Sequence, residues 1–185
     1  MTVSKLRSTT SLVALAVVLL LLVTALYAQP PAASNRGMAR LDIEGKDFSI
    51  NYGRPKLNGR DFGSTAVGTL WRMGMNQATT ITLPVDIYTC CGVIKAGNYS
   101  LWAKKVAPDQ KTGAEKWELI FNSQTGQWGT IHDALKDVLS VPMKVETAKE
   151  SVEQLAISIE KAAKGYEIRT AWGTKVLVME FTTKP

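Results

Sequence analysis

The sequence predicts an all-β fold, an antiparallel β-sandwich or jelly-roll-like two-sheet domain. Three observations carry this. Apolar residues recur at every second position in short runs, turn signals separate the runs, and extended helical periodicity is scarce. Phe48, Ile50 and Tyr52 share one face of a first strand. Thr79, Ile81, Leu83, Val85 and Ile87 form a longer stripe of the same period. Tyr99 and Leu101 follow the turn signal "KAGN", and Trp117, Leu119 and Phe121 give another strand. Leu155, Ile157 and Ile159 come next, then Tyr166, Ile168, Thr170 and Trp172. The last run, "KVLVMEF", is apolar on both faces, as expected of a strand covered on both sides. The short links "KAAKG" and "WGT" favour antiparallel hairpins over helical crossovers. One or two short helices are expected. "STAVGTLWRMG", with Ser64 as N-cap, is the better candidate, and a turn through "IHDALKDVL" is the second.

The chain has 185 residues, and its N-terminus reads as a targeting segment. Lys5 and Arg7 precede a continuous apolar run from Leu12 to Ala28, followed by a Pro- and Ala-rich exit. That order is the pattern of a secretory signal peptide over residues 1–28, and an uncleaved N-terminal membrane anchor is the alternative. In both cases the domain is expected to be exported, to the periplasm or beyond, and to meet a membrane only through that segment. Residues 29–38 read as a linker, leaving 39–185 as a single domain. There are 22 Lys and Arg against 16 Asp and Glu, for a formal charge of +6, and Lys5 and Arg7 belong to the leader. The remaining surplus of four is scattered and forms no basic stripe, which argues against a nucleic-acid partner.

The stretches "INYGRPKLNGRDFG", "LWRMGMNQATTITLPVDI", "IKAGNYSLW" and "WELIFNSQTGQWG" resemble, in this order, an exported bacterial family catalogued as domain of unknown function 2911. The resemblance runs from about Arg40 to Phe181. It implies an all-β exported domain with no established activity. Tyr52, Arg54, Pro55, Gly59, Arg60, Trp71, Arg72, Gly74 and Asn76 match by motif, as do Ala78, Thr79, Gly97, Tyr99, Ser100, Trp128 and Gly129. Where such proteins usually read Asn-Glu-Ala-Thr, this chain reads "NQAT", with Gln77 in place of the acid. If a carboxylate there serves as an essential proton carrier in the family, this chain lacks it.

Six residues are candidates for a ligand site: Arg54, Arg60, Trp71, Arg72, Asn76 and Gln77. Period two places Arg54 on the face of Phe48, Ile50 and Tyr52, where a guanidinium must find an acid, carbonyls or a bound anion. The bland alternative is that these arginines staple the loop "RPKLNGRDFG" to the sheet through Asp61, Asp86 or main-chain carbonyls. Asn76 and Gln77 offer neutral donors and acceptors, and Trp71, Trp102, Trp128 and Tyr99 offer flat apolar surfaces, the pairing that a sugar site uses. The expected function is a non-enzymatic envelope module binding a small polar or sugar-like ligand or a partner, without a cofactor. One alternative is a hydrolase of envelope or carbohydrate substrates using Asp61, Asp86 or Asp133 as acid and base, which requires two carboxyls about 5–10 Å apart. The other is a purely structural or assembly role.

His132 is the single histidine and adjoins Asp133, but consecutive side chains seldom face each other and no nucleophile motif accompanies them. A surface or capping role is expected, and no metal site. Cys90 and Cys91 are adjacent. Neighbouring Cα atoms lie about 3.8 Å apart, whereas disulfides prefer about 4.4–6.8 Å. A bridge between them would be strained, and on a strand the two thiols would point to opposite faces.

Overall fold

The computed structural model describes residues 35–185, which form one compact unit. The apolar leader, with its signal-peptide or anchor reading, lies outside the described residues. Ten strands run in chain order: β1 (Arg36–Ile43), β2 (Lys46–Gly53), β3 (Leu70–Trp71), β4 (Thr79–Leu83), β5 (Ile87–Thr89), β6 (Gly92–Ile94), β7 (Gly97–Val106), β8 (Lys116–Asn122), β9 (Asp137–Ala162) and β10 (Gly165–Phe181). Two single-turn 3-10 helices, Phe62–Ser64 and Ala134–Lys136, are the only helices among the described residues. The all-β expectation therefore holds.

The two-sheet expectation gives way to a different arrangement. One eight-stranded antiparallel sheet, in the order β1-β2-β4-β7-β8-β9-β10 with β3 added beside β7, curls upon itself, and β5 and β6 form a separate two-stranded ribbon. The reason lies in β9 and β10. They pair from Gly165↔Ala162 to Ala171↔Ala156, but then Gly173 pairs with Val152 and Lys175 with Thr147, so β9 spends extra residues around the bend. Such bulges increase twist and turn a strand. Beyond the bend, β9 reaches back across the sheet: Leu57 N–H donates to Glu153 O at 2.7 Å and Leu155 N–H to Pro55 O at 3.0 Å. This seam joins the start of the sheet to its end.

The curl encloses the core. The period-two residues read from the sequence point inward: Phe48 and Ile50, Ile81 and Leu83, Leu101, Leu119 and Phe121, Leu155, Ile168 and Leu177 are all buried in one cluster. A smaller cluster of Ala78, Trp102 and Ile120 lies apart from it.

Several sequence expectations are corrected. "WGT" is not a hairpin link; it lies inside β10, where Gly173 takes φ +61 at the bulge. The helix expected from Ser64 is replaced by the turn Phe62–Ser64, capped by Asp61, whose carboxylate accepts from Gly63 N–H. Residues after it run through turns into β3, since Gly68 at φ +89 breaks the helical path. The stripe from Thr79 to Ile87 is two strands interrupted at Pro84–Asp86. β1 begins at Arg36, inside the stretch read as linker. Cys90 and Cys91 stand on no strand; they form the turn between β5 and β6.

Candidate functional site

The loop from Arg72 to Ala78 is built by close backbone contact from two sides. On one side it lies against the end of β2: a Cβ on Gly53 would fall 2.2 Å from Met75 O, and one on Gly74 would fall 3.1 Å from Gly53 O. On the other side it meets the segment after β8. Gly129 N–H donates to Asn76 O at 2.7 Å, Ala78 N–H donates to Gln127 O at 3.1 Å, and Gln77 pairs with Trp128 in an isolated bridge. A Cβ on Gly129 would crowd Asn76 O at 2.7 Å and Arg72 Cδ at 2.8 Å. Met73 and Asn76 hold φ of 50° and 63°, which costs free energy in non-glycine residues. The buried Thr79 hydroxyl, donating to Met73 O at 2.8 Å, helps to fix the first of these. The motif "WRMGMNQAT" is thus a clamped loop with Arg72 and Asn76 in fixed positions.

Beside this loop opens a cavity of about 460 Å³, within the usual range for small-ligand sites. Arg60, Trp71, Arg72 and Asn76 all line it, joined by Pro55, Asp61, Phe62 and Trp172. Four of the six candidate residues are therefore gathered in one place. Trp71 and Trp172 stack with centroids 5.8 Å apart and planes 2° from parallel, and Phe62 packs against both at 4.6 and 5.4 Å. The Arg60 guanidinium lies 5.1 Å from the Trp172 ring centroid, a cation–π distance. Trp172 Nε1 is buried without a hydrogen-bond partner among the described residues.

The cations decide the character of the site. Arg60 donates from Nε to Leu57 O and from Nη2 to Lys56 O, and Arg72 donates from Nε to Gly74 O at 3.2 Å. Carbonyl stapling is thus real, but it neutralises no charge. Among the described arginines, Arg40 and Arg169 have carboxylate partners, whereas Arg36, Arg54, Arg60 and Arg72 have none. Two of those four face the same cavity.

The remaining candidates fall outside it. Arg54 lies over Gly37, where a Cβ would sit 2.7 Å from its Cδ, and its Nε is buried without a partner. Gln77 faces a separate shallow depression with Arg36, Asn51 and Gln127, and Arg36 donates to the Gln77 and Ala78 carbonyls. Period two placed Arg54 on the face of Phe48, Ile50 and Tyr52, and no period placed Gln77. Arg54 N–H donates to Asn35 O at 2.7 Å and Gln77 bridges to Trp128, and neither residue lines the cavity. The aromatic surfaces are likewise sorted. Trp102 donates from Nε1 to Ser100 Oγ at 3.1 Å and packs edge-on against His132, Tyr99 donates to Lys95 O, and Trp128 is exposed beyond the clamp. Of the four named, only Trp71 lines the cavity. Trp172 was missed as a site residue because burial alone accounts for a strand residue with the period of Tyr166, Ile168 and Thr170, and Phe62 because it lies in a turn that no period marks.

The three carboxylates proposed for acid–base chemistry are not brought together. Asp61 lines the cavity but caps the Phe62 turn. Asp86 pairs with Lys95 at 2.9 Å and accepts from Ala96 N–H, contacts that hold its carboxyl below the usual range, the Lys95 hydrogen bond foremost. Asp133 caps the second 3-10 turn through Leu135 N–H. His132 reaches past Asp133 to Asp137, at 2.9 Å. Among the described residues no group of three or more His, Cys, Asp or Glu gathers around a point where a metal would sit. No curated protein and no solved structure matches the chain. The model of a family described as a protein of unknown function (DUF2911) matches residues 34–181, and the chain belongs to that family.

Proposed function

We propose that this domain is an exported binding module whose ligand is small and carries a carboxylate, phosphate or sulfate group, as an acidic or phosphorylated sugar does. One observation carries the reading: Arg60 and Arg72, neither neutralised by a carboxylate, face one cavity of about 460 Å³. A guanidinium cannot shed its proton, so an anion is the complement that satisfies it, and its planar fork suits a two-oxygen group. Asn76 adds a neutral side chain for hydroxyls, and Trp71 adds apolar edge. This narrows the polar or sugar-like ligand expected from the sequence to an anionic one. The apolar run from Leu12 to Ala28 supports export, and N-terminal sequencing of the exported protein is expected to begin just after Ala28.

Calorimetric titration of the full-length protein with glucuronate, glucose 6-phosphate, inorganic phosphate and glucose tests the reading. The anionic probes are expected to bind, more weakly as salt is added, and glucose is not. Arg72→Ala is expected to weaken the anions by about tenfold or more, the equivalent of losing a charged hydrogen bond of about 1.5–3 kcal/mol. Equal affinity for glucose and glucuronate, or an Arg72→Ala variant indistinguishable from the parent, overturns it.

A further inference from the structure

The hairpin of β5 and β6 pairs Ile87 with Ile94, Tyr88 with Val93 and Thr89 with Gly92, so Cys90 and Cys91 are its whole loop. Its base is anchored. Ile87 and Ile94 are fully buried, and Tyr88 exchanges two 2.9 Å backbone hydrogen bonds with Thr182 beyond β10. Its tip is also tied, since the Thr89 hydroxyl donates to Gly92 O at 2.9 Å and accepts from Cys91 N–H at 3.2 Å. The unusual backbone torsion of the turn falls on Gly92, at φ +145, rather than on either cysteine. The turn breaks the alternation that a strand would impose. Both free thiols are exposed, and their sulfurs lie 3.3 Å apart.

We propose that Cys90 and Cys91 form a chelating dithiol site for a trivalent, thiophilic metalloid centre, with trivalent arsenic as its chemical type. Two sulfurs 3.3 Å apart, each about 2.3 Å from a bound centre, subtend an angle of about 90°. That angle suits a pyramidal trivalent centre and not a linear two-coordinate cation. Adjacent Cα atoms also sit closer than a disulfide prefers, which favours keeping two separate sulfurs. The contact with Cys90 pushes the Cys91 thiol up, which favours a reagent that takes up thiol protons as it binds. An arsine oxide does this: two As–S bonds form, the As–O bond breaks, and the oxygen leaves as water with both thiol protons, with no change of oxidation state. Cys90 also lines a cavity of about 630 Å³ with Val141, Pro142, Met143 and Val178, an apolar rest for an organic substituent on the centre.

Intact-mass spectrometry of the full chain, isolated without reductant and titrated with phenylarsine oxide, tests the site. One adduct is expected, with one phenylarsenic group replacing two hydrogens, displaced by a dithiol and resistant to an equal concentration of monothiol. Cys90→Ser and Cys91→Ser each leave one sulfur, and the loss of chelation is expected to weaken the adduct by about 10²–10⁴-fold. Because both side chains are exposed, the thermal midpoints are expected to stay at the parent value, and Cys→Ala variants replace any Ser variant that melts early. Arsenite, lacking the organic group, is expected to bind less tightly than phenylarsine oxide. The site is overturned if a single-cysteine variant keeps the parent affinity. It is equally overturned if the isolated chain is two hydrogens lighter and inert until reduced.

Discussion

Glu115 shows how one side chain can hold up the floor of the cavity. Its two oxygens lie 2.9 Å from Lys105 Nζ and 2.6 Å from Lys175 Nζ, and Trp117 Nε1 donates to it at 2.9 Å. Lys105 in turn donates to Gly63 O in the turn that carries Phe62. Burial raises the Glu115 carboxyl, but hydrogen bonds from Lys175, Trp117 and Lys105 outweigh it and hold the pKa to about 2, below the ordinary 4.5. A group depressed on folding adds stability above its unfolded pKa and loses it as pH falls through the folded one. Glu115 therefore stabilises fully above about pH 4.5, and its contribution fades between there and about pH 2. Glu115→Gln is expected to lower the melting temperature at pH 7, where it leaves two half-buried ammonium groups facing each other. The gap to the parent is expected to close as pH approaches 2, and melting curves by circular dichroism across that range measure it. At this scale the sequence was partly legible. Arg60, Trp71, Arg72 and Asn76 stood out because no period explained them, while nothing local linked Glu115 to Lys175, 60 residues later.

Strands with a core-facing stripe announced themselves by period two, as β2, β8 and the distal half of β9 do, although β8 also buries Ile120 on its other face. β1 did not, because only Ala39 and Ile43 are fully buried along it and an edge strand needs little apolar sequence. The proximal half of β9 carries Pro142, which argues against a ladder position, yet it pairs with Glu118. The clamped loop from Arg72 to Ala78 was legible only as a stretch without period, because what shapes it comes from Gly53 and from Gln127 to Gly129, far away in sequence. Glycine at position 53 follows from contact rather than from torsion: its Cβ would meet Met75 O at 2.2 Å and Met75 N at 2.7 Å, both backbone atoms. Gly53→Ala is therefore expected to force the loop outward and to destabilise the fold by about 1–3 kcal/mol or more. Urea unfolding measures that loss. Because the displaced loop carries Arg72 and Asn76, the affinity for glucuronate is expected to fall in the same variant.

Over the whole molecule, the seam between Pro55–Leu57 and Glu153–Leu155 governs both stability and the cavity. The segment that leaves the seam supplies Pro55, Arg60, Asp61 and Phe62, β10 supplies Trp172 from within its bulge, and the clamped loop supplies Arg72 and Asn76. A Cβ on Gly173 would already be in contact with Leu57 Cδ2 at 3.6 Å and close to Phe62 Cβ at 3.9 Å, so the bulge fits beneath the segment after the seam. Periodicity could count the strands, but it could not distinguish two sheets from one sheet curled upon itself. That choice depends on a bulge and on the pairing of Lys56 with Gln154. A pairing so distant in sequence forms against a large loop-closure entropy, so the seam is expected to be slow to form and among the first places to open. A ligand in the cavity touches Pro55 at one side of the seam and Trp172 on β10, the strand paired with β9, so it favours the closed form. The shift is about 2.7 kcal/mol when the ligand is present at 100 times its dissociation constant and binds that form alone. Hydrogen exchange followed by mass spectrometry is therefore expected to show the Leu57 and Leu155 amides exchanging more slowly with saturating glucuronate than without it, while the amides of the β5–β6 hairpin, remote from the cavity lining, exchange at unchanged rates.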